Sequence, residues 1–315
     1  MGRGAFGIAV RGAAWALLFV AGACGTAAPA AADAAPADAA DPGCALEAGR
    51  TYIVAEAVLE PSTVGFDLGG DGVVDNALGL VLASVRQSIN DGFAEAILGG
   101  GFPALVHAVG WTEPLTSPQT LRIQIFSGRD ADQDPTTNLT GQGEFFVGLD
   151  EFDVNCRAIG EAREPAVLDA GRLTASWAEF GYPVPGARGT LTLVDTHLEA
   201  TFAPDLTGFD ALLGGGVTFC ALSVVPFPGG QFTGSVLDVL VNDPAIQAAV
   251  VPDLDLDGDG FERVVGDGVS VVRCVDGDGT SIPGRECPCH PAIADAFSVG
   301  LSWRGVGARI VGVQP

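Results

Sequence analysis

The chain has 315 residues, of which 48% are hydrophobic, a length and content that exclude a disordered chain and provide for one large or two small cores. Its 39 acidic residues against 15 basic ones give a formal charge of -24, which excludes nucleic acid as a partner because no basic stripe offsets phosphate repulsion. The 45 glycines and 20 prolines punctuate the chain with turns and favour a strand-rich fold over a helical bundle.

Residues 1–23 carry Arg3 and Arg11 ahead of a short apolar run over 13–23. A spanning helix needs roughly 20 apolar residues, so the segment is expected to be a signal peptide. Ala21-Gly22-Ala23-Cys24 resembles a bacterial lipobox, departing from it at Ala21, where Leu is usual; the same residues also satisfy the ordinary signal-peptidase rule. The resemblance implies a diacylated Cys24 at the mature N-terminus. Gly25 rather than Asp then implies an outer-membrane or cell-surface address, with membrane lipid as a partner. Cysteine arithmetic agrees: of seven cysteines, removing Cys24 leaves six, Cys44, Cys156, Cys220, Cys274, Cys287 and Cys289, able to pair in an oxidising compartment. Residues 24–43 are an Ala/Pro/Asp-rich tether. The absence of Lys beside so much Ala and Gly fits the coding bias of a GC-rich genome, and the chain as a whole looks like an exported lipoprotein of a Gram-negative bacterium.

The folded part is expected over 44–315, as one domain or two sub-domains. Residues 51–60 read as a strand. From Asn76 to Leu98 the apolar positions 78, 81, 82, 85, 89, 93 and 97 mark one helix face, with Asp75 or Asn76 as cap and Gly99-Gly100-Gly101 as stop. Residues 104–111 continue as helix or strand. Strands are expected at 121–126, 144–149, 172–184 and 190–202, the last with a bulge near Val194-Asp195 that brings Leu191 and Leu193 to the same face as Leu198, Ala200 and Phe202. A helix is expected over 235–250 with a break near Pro244. The end, 297–313, alternates and shifts parity at Gly305. The sum is a mainly β chain: an antiparallel β-sandwich with one or two packed helices and long acidic loops. The glycine triplets at 99–101 and 214–216 are expected in turns, since no Lys or Ser/Thr follows at phosphate-loop spacing.

Residues 252–262, PDLDLDGDGFE, crowd Asp253, Asp255, Asp257 and Asp259 onto alternate positions. Calcium takes 6–8 oxygens, often from positions 1, 3 and 5 of a tight loop, with Gly at 6 and a carbonyl at 7. Asp255, Asp257, Asp259, Gly260 and the Phe261 carbonyl follow that order. Position 12 is Gly266 rather than Glu, so Glu262 or Asp267 would have to close the shell. A second loop, DLGGDGVVD, offers Asp67, Asp71 and Asp75 at 1, 5 and 9 and the Val73 carbonyl at 7. Both loops resemble EF-hand-like and thrombospondin type 3-like calcium motifs over about a dozen residues each, which implies calcium as a structural cofactor. Asp130, Asp132 and Asp134, and Asp276 and Asp278, extend the acidic set. Cys274, Cys287, Cys289 and His290 allow either disulfides or a zinc site. His107 is expected in the core and His197 at the surface. No H-E-x-x-H or G-x-S-x-G is present. The expected function is a non-catalytic, calcium-stabilised surface lipoprotein with an adhesive role or a protein or glycan ligand. The alternatives are a secreted hydrolase, foremost a glycosidase using paired carboxylates, and a purely structural envelope protein.

Overall fold

The alternating segments become strands wherever one parity is apolar. The computed structural model describes residues 44–112, 118–183, 190–225, 234–242 and 252–314. The expected signal peptide, Cys24 and the tether lie outside the described residues. Among the described residues twelve strands and four α-helices follow in chain order: β1 Gly49–Leu59, α1 Ala77–Val81, α2 Arg86–Leu98, β2 Ala104–Val109, β3 Gln119–Asp130, β4 Gly143–Gly148, β5 Ala166–Asp169, β6 Arg172–Pro183, β7 Thr190–Phe202, β8 Gly208–Thr218, α3 Phe219–Val224, α4 Val236–Asn242, β9 Arg263–Gly266, β10 Val271–Val275, β11 Ser281–Pro283 and β12 Ala296–Gln314. The chain is mainly β, with one large antiparallel-rich sheet and a small one of β9, β10 and β11. Among the described residues no helix is long and apolar enough to cross a membrane.

The large sheet joins its own edges. The antiparallel ladder β1-β2-β3-β5-β6-β7-β8-β12 returns to β1 through β5, which pairs with three residues of β3 and three of β6 and so closes the circuit at one end. Opposing walls pack face to face as in a sandwich: Tyr182 of β6 stacks on Trp303 of β12 at 6.1 Å, and Tyr52 of β1 meets Phe202 of β7 at 5.3 Å. β4 stands apart from this ring, pairing with the ends of β3 and, in parallel, β12. It closes a second, smaller core of Ile53, Leu105, Phe126, Phe145, Val147 and Ala158. β2 therefore has a core on both sides, which explains why every residue of 104–109 is buried and why its pattern reads as helix or strand alike.

Besides a bulge between Val54 and Glu56 of β1, these walls carry two parity shifts that alternation predicts. On β7 the register against β8 slips between Val194 and His197, with Asp195 at a positive φ of 45°, and buried positions change from Leu193 to Thr196, Leu198 and Ala200. At Gly305 the chain of β12 passes from the first core, through Trp303, to the second, where Val306, Ala308 and Ile310 pack. A Cβ at Gly305 would fall inside the van der Waals envelope of the Phe209 ring.

Three expectations change. The helix of 76–98 is two helices, broken at 82–85. Asn76 caps the first, its Oδ1 accepting from the Gly79 amide at 2.8 Å. The second docks across β1, where Asn90 accepts from the Leu59 amide at 2.8 Å and returns a bond to the Leu59 carbonyl at 3.3 Å. Gly214-Gly215-Gly216 is not a turn but part of β8, because side chains crowd its faces: a Cβ there would meet Phe66, Thr196 or Ala296 closer than ordinary contact. The helix expected over 235–250 is seen as α4; the stretch with Pro244 lies outside the described residues. The six cysteines pair as Cys44–Cys156, Cys220–Cys289 and Cys274–Cys287, so the zinc alternative at 274–290 is excluded, its thiols being committed to sulfur.

Candidate metal site

The acidic run at 253–259 divides between two jobs. Leu254 is buried and forms an isolated bridge with Ala296, exchanging amide and carbonyl bonds of 3.1 Å. That bridge turns Asp253 inward, where it accepts from the Ser298 amide at 2.8 Å and from the Ser298 hydroxyl. Asp253 is thus a clamp on β12. Past the bridge, Asp255, Asp257 and Asp259 are exposed, around Gly258 and Gly260 at φ values of 77° and 105°. Leu256 shares the alternate position of the buried Leu254 but is 43% exposed, because the loop has already turned away.

The bridge also brings in a residue from 40 positions away in the chain, Asp295, which spacing rules do not find. Asp295 and Glu262 are both fully buried. Each carboxylate accepts from backbone near the other: Glu262 from the amides of Ala294 and Asp295 at 2.9 and 2.7 Å, Asp295 from those of Glu262 and Leu256 at 2.9 and 3.2 Å. Oxygens of Asp255, Asp257 and Asp295 lie within 4.8 Å of one another, as do those of Asp257, Asp259 and Glu262, so Asp257 belongs to both groups. Of the two residues that spacing left open, Glu262 is the one beside Asp257 and Asp259; Asp267 is used by the amides of Val269 and Ser270, both at 3.0 Å.

The electrostatics record the strain of this arrangement. Burial pushes the Glu262 carboxyl up to about 7 and raises Asp295 as well. Desolvation, then the charges of Asp257, Asp278 and Asp255, raise Asp259. Among the described residues no basic side chain forms an ion pair with any of the five. The 276–279 loop lies against the cluster, close enough that only glycine fits at 277, beside Asp259 and the Gly260 carbonyl. Five carboxylates with no basic partner among the described residues, all hard oxygen donors, suit calcium or a similar divalent ion. Phe261, whose carbonyl is the expected seventh-position ligand, is 49% exposed between Gly260 and Glu262.

The 67–75 loop is arranged differently. Asp75 Oδ2 accepts from the amides of Leu68 and Gly69 at 2.7 and 2.8 Å, and Asp67 from those of Asp71 and Gly72 at 3.0 and 2.9 Å. Asp71 accepts from Val73 at 2.8 Å, and Val73 itself is exposed. These carboxylates satisfy the loop's own amides and do not form a group of three within the same 4.8 Å. No family model, curated protein or solved structure matches the chain.

Proposed function

We propose that this chain is an exported, calcium-braced, disulfide-bonded β-protein, held at the outer membrane by an acylated Cys24, that acts by binding a protein or glycan rather than by catalysis. The observation that supports calcium is the convergence of Asp255, Asp257 and Asp259 on the buried pair Glu262 and Asp295 with no basic partner among the described residues. Buried carboxylates without a counter-charge are costly, and a divalent cation offsets that cost. The test is a thermal melt of the oxidised mature protein in chelator and in millimolar calcium, with elemental analysis of the dialysed sample. Identical melts and no bound ion would sink the calcium reading. Mass spectrometry of the N-terminal peptide checks the anchor: an unmodified Cys24 refutes it.

One observation favours the glycosidase as a second reading. Glu151 and Glu179 both line a cavity of 590 Å³ walled by Phe102, Phe180, Tyr182 and Trp303. Burial raises the Glu151 carboxyl, as a general acid requires. It ranks second because the Ser127 amide and nearby Arg129 act on the same carboxyl, a setting that suits a structural acid equally well. Hydrolysis of an aryl glycoside that is abolished in Glu151→Gln and Glu179→Gln would reverse this order.

A further inference from the structure

The loop joining β3 to β4 reads RDADQDPTTNL over 129–139. Asp130 Oδ1 accepts from the amides of Asp132 and Gln133, both at 3.2 Å, and its Oδ2 from the Asn138 side-chain amide at 3.2 Å. Asp132 accepts from the Asp134 amide and the Thr137 hydroxyl, each at 2.9 Å. Asp134 is turned aside, accepting from the amide and hydroxyl of Thr136 at 3.0 and 2.6 Å. The shape also departs from an EF-hand: Pro135 stands where glycine is expected, and the left-handed residue is Gln133, at φ 60°.

Asn138 is what sets this loop apart. Its side chain is 2% exposed, and its Oδ1 has no hydrogen-bond partner. Its side chain is held by the bond to Asp130 and lies beside Gly100, and its backbone carbonyl lies beside Gly143. Turning the amide over does not help, since its oxygen would then face a carboxylate oxygen of Asp130. Either orientation leaves a buried oxygen that calls for a positive partner. The adjacent basic residue, Arg129, pairs with Asp150.

We infer that this loop is a separate site for calcium or a like divalent cation, with Asp130, Asp132 and the Asn138 side-chain oxygen as ligands, the Asn138 amide turned so that its oxygen faces Asp130 across the ion. It shares no residue with the cluster around Asp257 and does not depend on that cluster being filled, although it extends the same calcium reading. A cation here would tie the end of β3 to the start of β4 and so brace the smaller core.

The test uses the whole mature chain, stripped with chelator and titrated with calcium chloride by calorimetry, with bound metal counted by elemental analysis. Asp132 is exposed, so Asp132→Asn should fold normally; it is expected to lose one equivalent of calcium, or to weaken that equivalent at least 10-fold. Asn138→Leu removes the unpartnered oxygen; it should lose the same equivalent while melting no lower than the parent in chelator. Asp257→Asn should lose a different equivalent, and the double variant both. If Asp132→Asn binds as much calcium as the parent with the same affinity, this site is refuted, whatever becomes of the Asp257 cluster. If Asp257→Asn is unchanged while Asp132→Asn loses an equivalent, the cluster fails and this site stands. If the parent takes up no calcium, both fall.

Discussion

Asp257→Asn separates a calcium ligand from an ordinary surface acid, because the structure predicts opposite signs with and without the ion. Asp257 is exposed, and its one backbone contact, from the Asp259 amide, is long at 3.4 Å. Nothing in the fold depends on that bond. In chelator the substitution removes a charge beside Asp259, whose carboxyl is raised partly by Asp257, so stability should stay within about 0.5 kcal/mol of the parent or rise slightly. In calcium at 100 times the dissociation constant, one bound ion contributes about 2.7 kcal/mol. Extracellular sites bind at roughly 10⁻⁴–10⁻³ M, so about 10 mM reaches that excess for the tighter ones. For a domain of this size about 1 kcal/mol shifts Tm by about 2–4 °C, so the parent should gain about 5–10 °C from this site and Asp257→Asn should forgo it. The assay is a four-way melt, parent and variant in EDTA and in calcium. If the calcium-induced shift is the same in parent and variant, Asp257 is not a ligand and the convergence at the site is only a solvated acidic turn.

Other outcomes follow from the same structure. Protonation of Glu262 competes with metal, so the calcium-induced rise in Tm should be larger at pH 8 than at pH 5; a rise that is constant with pH would contradict ligation by Glu262. His107 is buried, its Nε2–H donating to the Glu47 carbonyl at 3.0 Å and its Nδ1 accepting from the Thr51 hydroxyl at 2.9 Å, and burial lowers its pKa. The neutral ring is therefore favoured by folding, its contribution is complete above pH 6.5 and is lost as pH falls below that value; comparing parent with His107→Gln in chelator isolates this slope from the opposite one of Glu262. Cys44–Cys156 closes a separation of 112 residues and Cys274–Cys287 one of 13, so removing the first pair should lower Tm more, about 4–5 against about 3 kcal/mol in a chain-entropy account. Gly305→Ala should cost about 1–3 kcal/mol in denaturant titration, through the clash with Phe209.

Much of the fold was legible because single faces are apolar. The bulge on β7 and the parity shift at Gly305 could both be read from alternation, since a one-residue slip moves a whole hydrophobic set to the other face. Alternation fails where both faces are buried or where glycine replaces the side chains that would show it. β2, between two cores, has no polar parity to display. β8 carries three glycines where Phe66, Thr196 and Ala296 come close, so its pattern reads as a turn although its register against β12 is unbroken from Thr218 to Gly208. The helix break at 82–85 is invisible to a period of 3 and 4 because both helices keep their apolar positions on it; the docking of Asn90 on Leu59 is a tertiary cause.

The site divides along the same line. Three of its five carboxylates lie at alternate positions of one short run and could be found by spacing; Glu262 was one of two choices, and Asp295 gave no local signal at all. Asp253 shows why spacing misleads in the other direction: it continues the alternation of the run, yet the Leu254–Ala296 bridge places it on the inner side, against Ser298. The bridge is the element that decides. It separates the acid that holds β12 from the acids that face outward, and it brings Asp295 beneath them. A cation at the site would therefore join the 255–262 loop to the start of β12, the strand that pairs with β1, β4 and β8. On this arrangement loss of the ion should not stay local. Amide exchange should quicken at 296–301 as well as at 255–262, and exchange that changes only within the loop would show that the bridge, and not the ion, holds β12 in place.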